Sequence, residues 1–545
     1  MSQGVPIPPG IFPSGNFSSL TADVAKTIDT TLIGSATGDL SFFGVEPVPQ
    51  QEVITVTSKT TPTEISILQL LQTYGLTPQL SEATLVMSPL TGPPGTVITI
   101  TGTSFLNVTS VTIGVLPMLI VSKTSTTLQV FVMPGNVTGI VQINSFGSYN
   151  TVLTPFTVTA TGHPTAQVGS FYSAPSSTGI YQGTQSAISA NNQKIFIGGK
   201  TQTGNFPAGW IWIKSGSIWV LQQTLSALGT IFTPPGMAGS LSGDATTIAI
   251  GATDNSTFGT YGRAYFYNNL PLLTGGTILT PDGYDGSFGK NVSISVDGNT
   301  AVFGDPNYTV NSVQIGQLFI CSRLSNNQWG LSQPPLVTTN NVSNAANGWS
   351  VAISADGNTI ISGGYLDNSN QGAAWIWNRN IQSGLWYQYA KLTDPSGFGA
   401  TAVQGINVSI NADGTTVAVN GTTYNTSQGA TWIWTLSEGV WSIQQILTTT
   451  SFAYQGQFGG VSLSADGNTI LIASTDLTQT YQRTLVWTRS GTTWTQQTTL
   501  ISSPDFTGFN TAIYTTGVNL SPDGTIAVVG NMRANTNTGG FFIFQ

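Results

Sequence analysis

Residues 292–304 read VSISVDGNTAVFG, and closely related phrases occur six more times in the C-terminal two thirds of the chain. Apolar and polar residues alternate on both sides of an Asp-Gly turn, which predicts two antiparallel strands joined by a tight hairpin. The other copies are AISANNQKIFIGG at 187–199, SLSGDATTIAIGA at 240–252, VAISADGNTIISG at 351–363, VSINADGTTVAVN at 408–420, VSLSADGNTILIA at 461–473 and VNLSPDGTIAVVG at 518–530.

The turn position of each copy gives the period of the repeat. Successive turn residues are 53 to 59 positions apart, which corresponds to one supersecondary unit per repeat. We interpret the aspartates as structural turn formers, with the following glycine in the left-handed conformation. The seven turn positions are Asn191, Asp244, Asp297, Asp356, Asp413, Asp466 and Asp523.

A second, aromatic hairpin follows each first one, as in GATWIWTLSEGVWSIQQIL at 429–447. Trp432 and Trp434 lie two residues apart on one strand face, so they suit the contact between neighbouring sheets. Four antiparallel strands in a unit of about fifty residues are typical of a propeller blade. The sequence therefore predicts an all-β protein with a seven-bladed β-propeller over residues 165–545, in which residues 166–175 complete the last blade and close the ring.

These repeats resemble FG-GAP and integrin-like propeller repeats, with SFGKNVSISVDGNTAVFGDP at 287–306 as the most similar copy. Calcium-binding members of that group carry several oxygen ligands in a D-x-D-x-D-G run, whereas each turn here has a single aspartate. Because calcium needs about six to eight oxygens, we expect no metal at these turns. The repeats only approximate the sialidase Asp-box, S-x-D-x-G-x-x-W, because here the glycine follows the aspartate directly.

Residues 81–160 form a different unit, with alternating strands broken by Gly and Pro turns, which predicts a small Ig-like β-sandwich. The segments SPLTGPPGTVITITGTSF at 88–105 and VFVMPGNVTGIVQI at 130–143 resemble an IPT/TIG domain. The resemblance implies a spacer or adhesive stalk module without chemistry of its own.

Residues 1–80 are predicted to be a short mixed α/β anchoring segment. SFFGVEPVPQ followed by LLQTYGL, within residues 39–76, resembles an N-terminal segment of phage and large-virus structural proteins, which implies attachment to a particle as an oligomer. The alternative is a generic strand and helix packed on the next domain. The candidate anchoring residues are Phe42, Phe43, Gly44, Pro47, Leu68 and Leu71.

Composition excludes several classes of function. Only 7% of residues are charged and the net charge is −8, so a phosphate-tracking surface is not expected and we predict no nucleic-acid partner. No apolar run is long enough to span a bilayer and the first residues do not resemble a signal peptide, so we expect no membrane insertion. Cys321 is the single cysteine, which we expect to be a buried thiol.

Catalytic residues are sparse. His163 is the single histidine, which argues against a serine triad or a multi-histidine metal site. A glycosidase needs only two carboxylates, but the recurrent aspartates are accounted for by the turns. We therefore predict no enzyme, no catalytic residues and no cofactor.

The sequence leaves three functional hypotheses. The first is a virion surface protein, made in the host cytoplasm, that contacts other virion proteins through its N-terminal segment and a host glycan or protein through the propeller. The second is a purely structural capsid or fibre component, and the third is a glycan-cleaving propeller. We expect a homo-oligomer under the first hypothesis.

Overall fold

The computed structural model describes residues 85–545 with several internal gaps, so the predicted segment 1–80 lies outside the described residues. No helix among the described residues is long and apolar enough to cross a membrane. The gaps are 146–147, 152–153, 176–181, 201–206, 227–237, 254–261, 269–276, 280–286, 395–401, 423–428, 449–453, 456–459, 477–480, 503–516 and 532–537.

The first described domain is an Ig-like sandwich. Two sheets share one strand, β5, whose first half pairs with β4 and whose second half pairs with β6. Its elements are β1 Val86–Ser88, β2 Thr91–Gly92, β3 Val97–Thr101, a 3-10 turn at Phe105–Asn107, β4 Val108–Ile113, β5 Leu116–Lys123, β6 Thr127–Phe131, β7 Val141–Ser145, β8 Ser148–Thr151 and β9 Thr157–Val158.

The core of this domain lies between the two sheets. Alternate residues of β3 and β6, such as Ile98, Ile100 and Val130, point into it and are fully buried. The neighbouring residues Val97 and Phe131 are also buried, although they lie on the outer face of the sheet. This outer face therefore has a packing partner elsewhere in the molecule.

Seven antiparallel sheets follow, one for each sequence repeat. Blade 1 contains β10 Gln185–Ile188, β11 Lys194–Lys200, β12 Pro207–Ser215 and β13 Ile218–Ser226. Blade 2 contains β14 Ala238–Leu241, β15 Ile248–Ala252, β16 Arg263–Tyr267 and β17 Thr277–Leu279. Blade 3 contains β18 Val292–Ile294, β19 Thr300–Asp305, an inserted hairpin β20 Thr309–Val310 and β21 Val313–Gln314, then β22 Gln317–Arg323 and β23 Trp329–Leu331.

Among the remaining blades, blade 5 has four regular strands, whereas blades 4, 6 and 7 depart slightly from this pattern. Blade 4 contains β24 Ser350–Ile353, β25 Thr359–Gly364, a helical turn α1 Asp367–Asn370, β26 Ala373–Arg379 and β27 Trp386–Leu392. Blade 5 contains β28 Asn407–Ile410, β29 Thr416–Gly421, β30 Ala430–Ser437 and β31 Val440–Leu447. Blade 6 contains β32 Tyr454–Gln455, β33 Val461–Leu463, β34 Thr469–Asp476, β35 Tyr481–Ser490 and β36 Thr493–Leu500, and blade 7 contains β37 Val518–Leu520, β38 Ala527–Asn531 and β39 Gly540–Phe544.

The seven sheets form a closed ring. Each apolar cluster between blades combines residues of two consecutive sheets, and one cluster joins blade 7 to blade 1 through Phe541 and Trp212. The paired tryptophans lie in these contacts as predicted, since Trp432 and Trp434 pack against Ile376 of blade 4. The predicted all-β fold with an N-terminal Ig-like domain is thus confirmed.

Ring closure uses the segment that precedes the first repeat. Tyr172 pairs with Phe541 in both directions, with N–H to O distances of 3.0 and 2.9 Å, and the Val168 N–H donates to the Ile543 carbonyl at 2.8 Å. This segment is the fourth strand of blade 7, which confirms the prediction for residues 166–175. The last blade therefore contains strands from both ends of the propeller.

Candidate functional site

The first strands of the seven blades surround a central channel with a cavity of about 290 Å³. Its walls consist of small polar and aliphatic residues, and Phe131 of the Ig-like domain forms its floor. Among the described lining residues there is no carboxylate, amine, guanidinium, imidazole or thiol group. The channel wall therefore provides hydrogen bonds but no acid, base or nucleophile of that kind.

Polar side chains on the channel wall tie neighbouring blades together. Ser409 Oγ accepts a hydrogen bond from the Leu463 N–H at 3.0 Å, and Ser462 Oγ accepts one from the Leu520 N–H at 3.0 Å. Asn519 Oδ1 of blade 7 accepts the equivalent hydrogen bond from a backbone N–H of blade 1, at the junction that closes the ring. The equivalent acceptors in the remaining blades are Ser240 and Ser293, whereas Ala187 and Ala352 occupy this position in blades 1 and 4.

The six predicted aspartates lie at the turns between first and second strands. In blade 4, Asp356 Oδ1 accepts from Ser354 Oγ at 2.5 Å and from the Asn358 N–H at 3.1 Å, while Oδ2 accepts from Asn358 Nδ2 at 3.0 Å. Equivalent intra-turn contacts occur at Asp244, Asp297, Asp413, Asp466 and Asp523. Asn191 makes them in blade 1 through its side-chain oxygen.

The residue after each turn aspartate has the left-handed backbone that the sequence predicted. The five glycines have φ between 66° and 74°, and Asn192 and Ala245 take the same region in blades 1 and 2. The carboxylates thus hold the turns closed by hydrogen bonds. The five glycines are Gly298, Gly357, Gly414, Gly467 and Gly524.

The Ig-like domain covers the turn end of the channel. Val97, Val121 and Phe131 on its outer sheet face form one apolar cluster with alanines that lie one residue before the turn aspartates or asparagine. Sequence analysis did not predict this contact, because each partner is unremarkable within its own repeat or strand. The turn residues in the cluster are Ala190, Ala355, Ala412 and Ala465, with Val296 packed beside them.

The linker between the domains reinforces this cap. Thr161 Oγ1 donates to Asp466 Oδ2 at 2.5 Å, and Thr469 Oγ1 donates to the Gly162 carbonyl at 3.2 Å. Gly95 packs so closely on Pro522 that a Cβ atom there would lie 2.3 Å from the Pro522 carbonyl carbon. One end of the channel is therefore occupied by the chain itself.

We call the opposite end of the ring the open face. It carries the loops that join second to third strands and each blade to the next, because consecutive antiparallel strands reverse direction at alternate ends. The hairpin β20–β21 and the helical turn α1 both lie there. In α1 the buried Asp367 pairs with Lys391 Nζ at 2.6 Å and accepts the Val342 N–H at 2.6 Å, which fixes two of these loops.

A cationic and aromatic cluster also lies on the open face, between blades 3 and 4. Lys290 Nζ lies 4.3 Å from the ring centroid of Trp349, and Tyr365 contacts Trp349 edge-on with centroids 4.6 Å apart. Burial lowers the pKa of Lys290 to about 8. Sequence analysis missed this cluster, although Lys290 and Trp349 each follow a repeat glycine and differ from their counterparts in other blades.

Two other sequence-predicted groups lie away from the channel. Cys321 is buried between blades 2 and 3, as expected, and burial raises the pKa of its thiol. His163 lies in the interdomain linker. The candidate anchoring residues Phe42, Phe43, Gly44, Pro47, Leu68 and Leu71 lie outside the described residues.

Comparison with known proteins identifies the first domain. Residues 85–160 match the IPT/TIG domain family, which confirms the predicted resemblance. A search of curated proteins found no match to the chain.

Two solved structures show distant similarity. One is described as "Structure of U3-55K", with 9% identity and a TM-score of 0.44 over 70% of this chain and 100% of that chain. Another is the crystal structure of Sqt1 of Saccharomyces cerevisiae, with 11% identity and a TM-score of 0.41 over 69% of this chain and 88% of that one. At these TM-scores the similarity carries no argument, and the fold rests on the strand pairings above.

Proposed function

We propose that this protein is a virion surface protein that displays its propeller and binds a host-surface glycan or protein through the open face. The observation that carries the proposal is the cap at the other end. Because the IPT/TIG domain occupies the turn end of the channel, we expect a ligand to bind at the open face and its loops. Propeller ligands ordinarily use loops of this kind, which a rigid scaffold positions.

The chemistry of the described residues favours binding over catalysis. The turn aspartates are engaged in hydrogen bonds, and the described channel wall carries no ionisable group. Glycoside hydrolysis needs two carboxylates about 5 to 10 Å apart beside the substrate. On the open face, Asp305 accepts hydrogen bonds from Ser287 and Gln317, and Asp367 pairs with Lys391, so both of these carboxylates have structural partners.

The virion assignment is supported by resemblance. Residues 39–76 resemble an N-terminal segment of phage and large-virus structural proteins. Residues 1–84 precede the capping domain in the chain. We therefore propose that the segment binds other virion proteins, as a homo-oligomer.

The first experiment shields one end of the propeller at a time. A cysteine introduced at Val342 on the open face, coupled to a polyethylene glycol maleimide of about 5 kDa, would obstruct that face. The matched control is Val440→Cys, at a hairpin turn on the capped end. Both valines are exposed, and the native Cys321 is buried and unreactive.

Adhesion of the full chain to host cells is the readout, with release of reducing sugar measured in parallel. We expect polymer at residue 342 to reduce adhesion at least tenfold and polymer at residue 440 to change it less than twofold. Equal loss at both positions would contradict the assignment of the open face. Absence of adhesion in the unmodified chain would support the purely structural alternative, and sugar release would support the enzymatic one.

A second experiment tests the anchoring segment. Leu68→Ser combined with Leu71→Ser removes two predicted apolar contacts of the segment, and light scattering of the full chain then measures its mass. We expect a homo-oligomer to dissociate, whereas Leu106→Ser, an exposed leucine in the IPT/TIG domain, is the control. A monomeric wild-type chain, or an oligomer that survives both substitutions, would argue against this role.

A further inference from the structure

The cluster of Lys290, Trp349 and Tyr365 occupies a special position in the repeat. Lys290 and Trp349 each follow a glycine of positive φ, and in both blades the glycine N–H and the following N–H donate to one carbonyl of the second strand. This backbone arrangement does not require a particular side chain, since blades 1 and 5 have Thr184 and Ile406 at the equivalent position. The lysine and tryptophan are therefore specific to blades 3 and 4.

The geometry places a cation against two aromatic rings. Lys290 Nζ lies 4.3 Å above the Trp349 ring, and Tyr365 meets the same indole at an interplanar angle of 61°. All three residues are half-buried, so part of their surface remains accessible. A cation held in this way is attracted by the ring quadrupole.

The ammonium group of Lys290 has no carboxylate partner among the described residues. Asp305 is engaged by Ser287 and Gln317, and Asp367 is engaged by Lys391. Burial accordingly lowers the pKa of Lys290. A partly desolvated cation with no carboxylate partner in the described part of the chain is electrostatically favourable for a bound anion.

The adjacent channel mouth supplies a different kind of contact. Asn291 follows Lys290 in sequence and lines the channel, whereas the Ser350 hydroxyl is buried and donates to the Gly405 carbonyl at 2.9 Å. A side-chain amide can bind the neutral hydroxyl groups of a ligand. A ligand that spans both sites thus needs one negative charge, an apolar face and several hydroxyl groups.

We propose that Lys290, Trp349 and Tyr365 form a subsite for a carboxylate-bearing sugar, with its carboxylate on Lys290 and its C–H face against the aromatic rings. The hydroxyl groups of the sugar then face Asn291 at the channel mouth. The assignment rests on the proposed function, because it names the ligand class of the open face.

The test uses the full chain and glucuronic acid as the probe, with glucose and acetate as matched compounds that lack the charge or the sugar ring. Saturation-transfer NMR and calorimetry measure binding. We expect glucuronic acid to bind at least tenfold more tightly than either compound. Lys290→Met should weaken it at least tenfold and Lys290→Arg about threefold or less, while Lys214→Met, at the capped end, should have no effect.

Three results would overturn the proposal. They are no binding of glucuronic acid, binding that Lys290→Met leaves unchanged, and acetate binding as tight as that of glucuronic acid. Thermal unfolding of each variant verifies that it is folded, and Trp349→Phe provides a second variant that keeps an aromatic ring but loses indole contact area. If glucuronic acid fails to bind while shielding at residue 342 still blocks adhesion, the ligand class is wrong and the function of the open face stands.

Discussion

At the scale of single residues, the turn aspartates act through hydrogen bonds to their own turns. Asp356 accepts from Ser354 and from both the backbone and side chain of Asn358. The sequence predicted this role because an Asx turn is local, and these contacts of Asp356 lie within two residues of chain. In blade 1, Asn191 accepts the equivalent serine and backbone N–H bonds through its amide oxygen.

Asp356→Ala should therefore destabilise the propeller without affecting adhesion. Removing three hydrogen bonds, each worth about 0.5–1.5 kcal/mol, should lower the free energy of unfolding by about 2 kcal/mol. Urea unfolding measures the change. Asp356→Asn retains an acceptor oxygen and should lose less than about 1 kcal/mol, and an equal loss in both variants would contradict the hydrogen-bonding role.

Lys290 gives a prediction of pH dependence. Because its folded pKa, about 8, is below the value of 10.5 in the unfolded chain, the unfolded state binds more protons between these limits. Stability should rise with pH over this window, by up to about 3 kcal/mol from this group. Burial alone accounts for the lowered pKa of Lys290.

Lys290→Met should accordingly be more stable than the wild type below pH 8, and the difference should shrink as pH approaches 10.5. Thermal unfolding of both chains at pH 7, 8.5 and 10 measures this difference. Because the two chains are compared at the same pH, the titration of other groups cancels. A difference that is constant with pH would mean that Lys290 is not desolvated.

At the scale of elements, the closing strand was predictable and the blade departures were not. The last repeat is visibly one strand short in the sequence, and residues 166–175 have the pattern of a fourth strand. The inserted hairpin β20–β21 and the turn α1 lie in loops without a repeat pattern. Their positions depend on contacts such as Asp367 with Lys391, whose partners are 24 residues apart in the chain.

Val168→Pro tests the closing strand. Proline removes the N–H that donates to the Ile543 carbonyl at 2.8 Å, so the segment should separate from β39 and open the ring. We expect a loss of about 3 kcal/mol or more in unfolding free energy and faster hydrogen exchange at Phe541. Val168→Ala, which keeps the N–H, is the control, and equal effects of the two changes would argue against ring closure by this strand.

At the scale of the whole molecule, the IPT/TIG domain was predicted but its position was not. In the sequence, Val121 and Phe131 are ordinary members of alternating strands. The alanine before a turn aspartate likewise gives no sign that it contacts another domain. Only the ring brings Ala190, Ala355 and Ala412 together at one end, where they make an apolar platform. Within the described part of the chain, the IPT/TIG domain thus covers one face of the propeller and not the other.

Val121→Glu should undock the two domains, because it places a charge in this apolar contact, where an unpaired carboxylate is costly. We expect faster cleavage of the linker at residues 160–164 by a nonspecific protease. Val115→Glu, at a valine that is 93% exposed, is the control. Linker cleavage at the wild-type rate in the Val121 variant would contradict the interface.

The most direct measurement is an electron cryomicroscopy map of the full chain. We expect a closed ring of seven sheets with the IPT/TIG domain over the end formed by the aspartate turns, and with the other end not covered by that domain. A map that shows an open arc of sheets, or a ring with both ends of its channel uncovered, would contradict it.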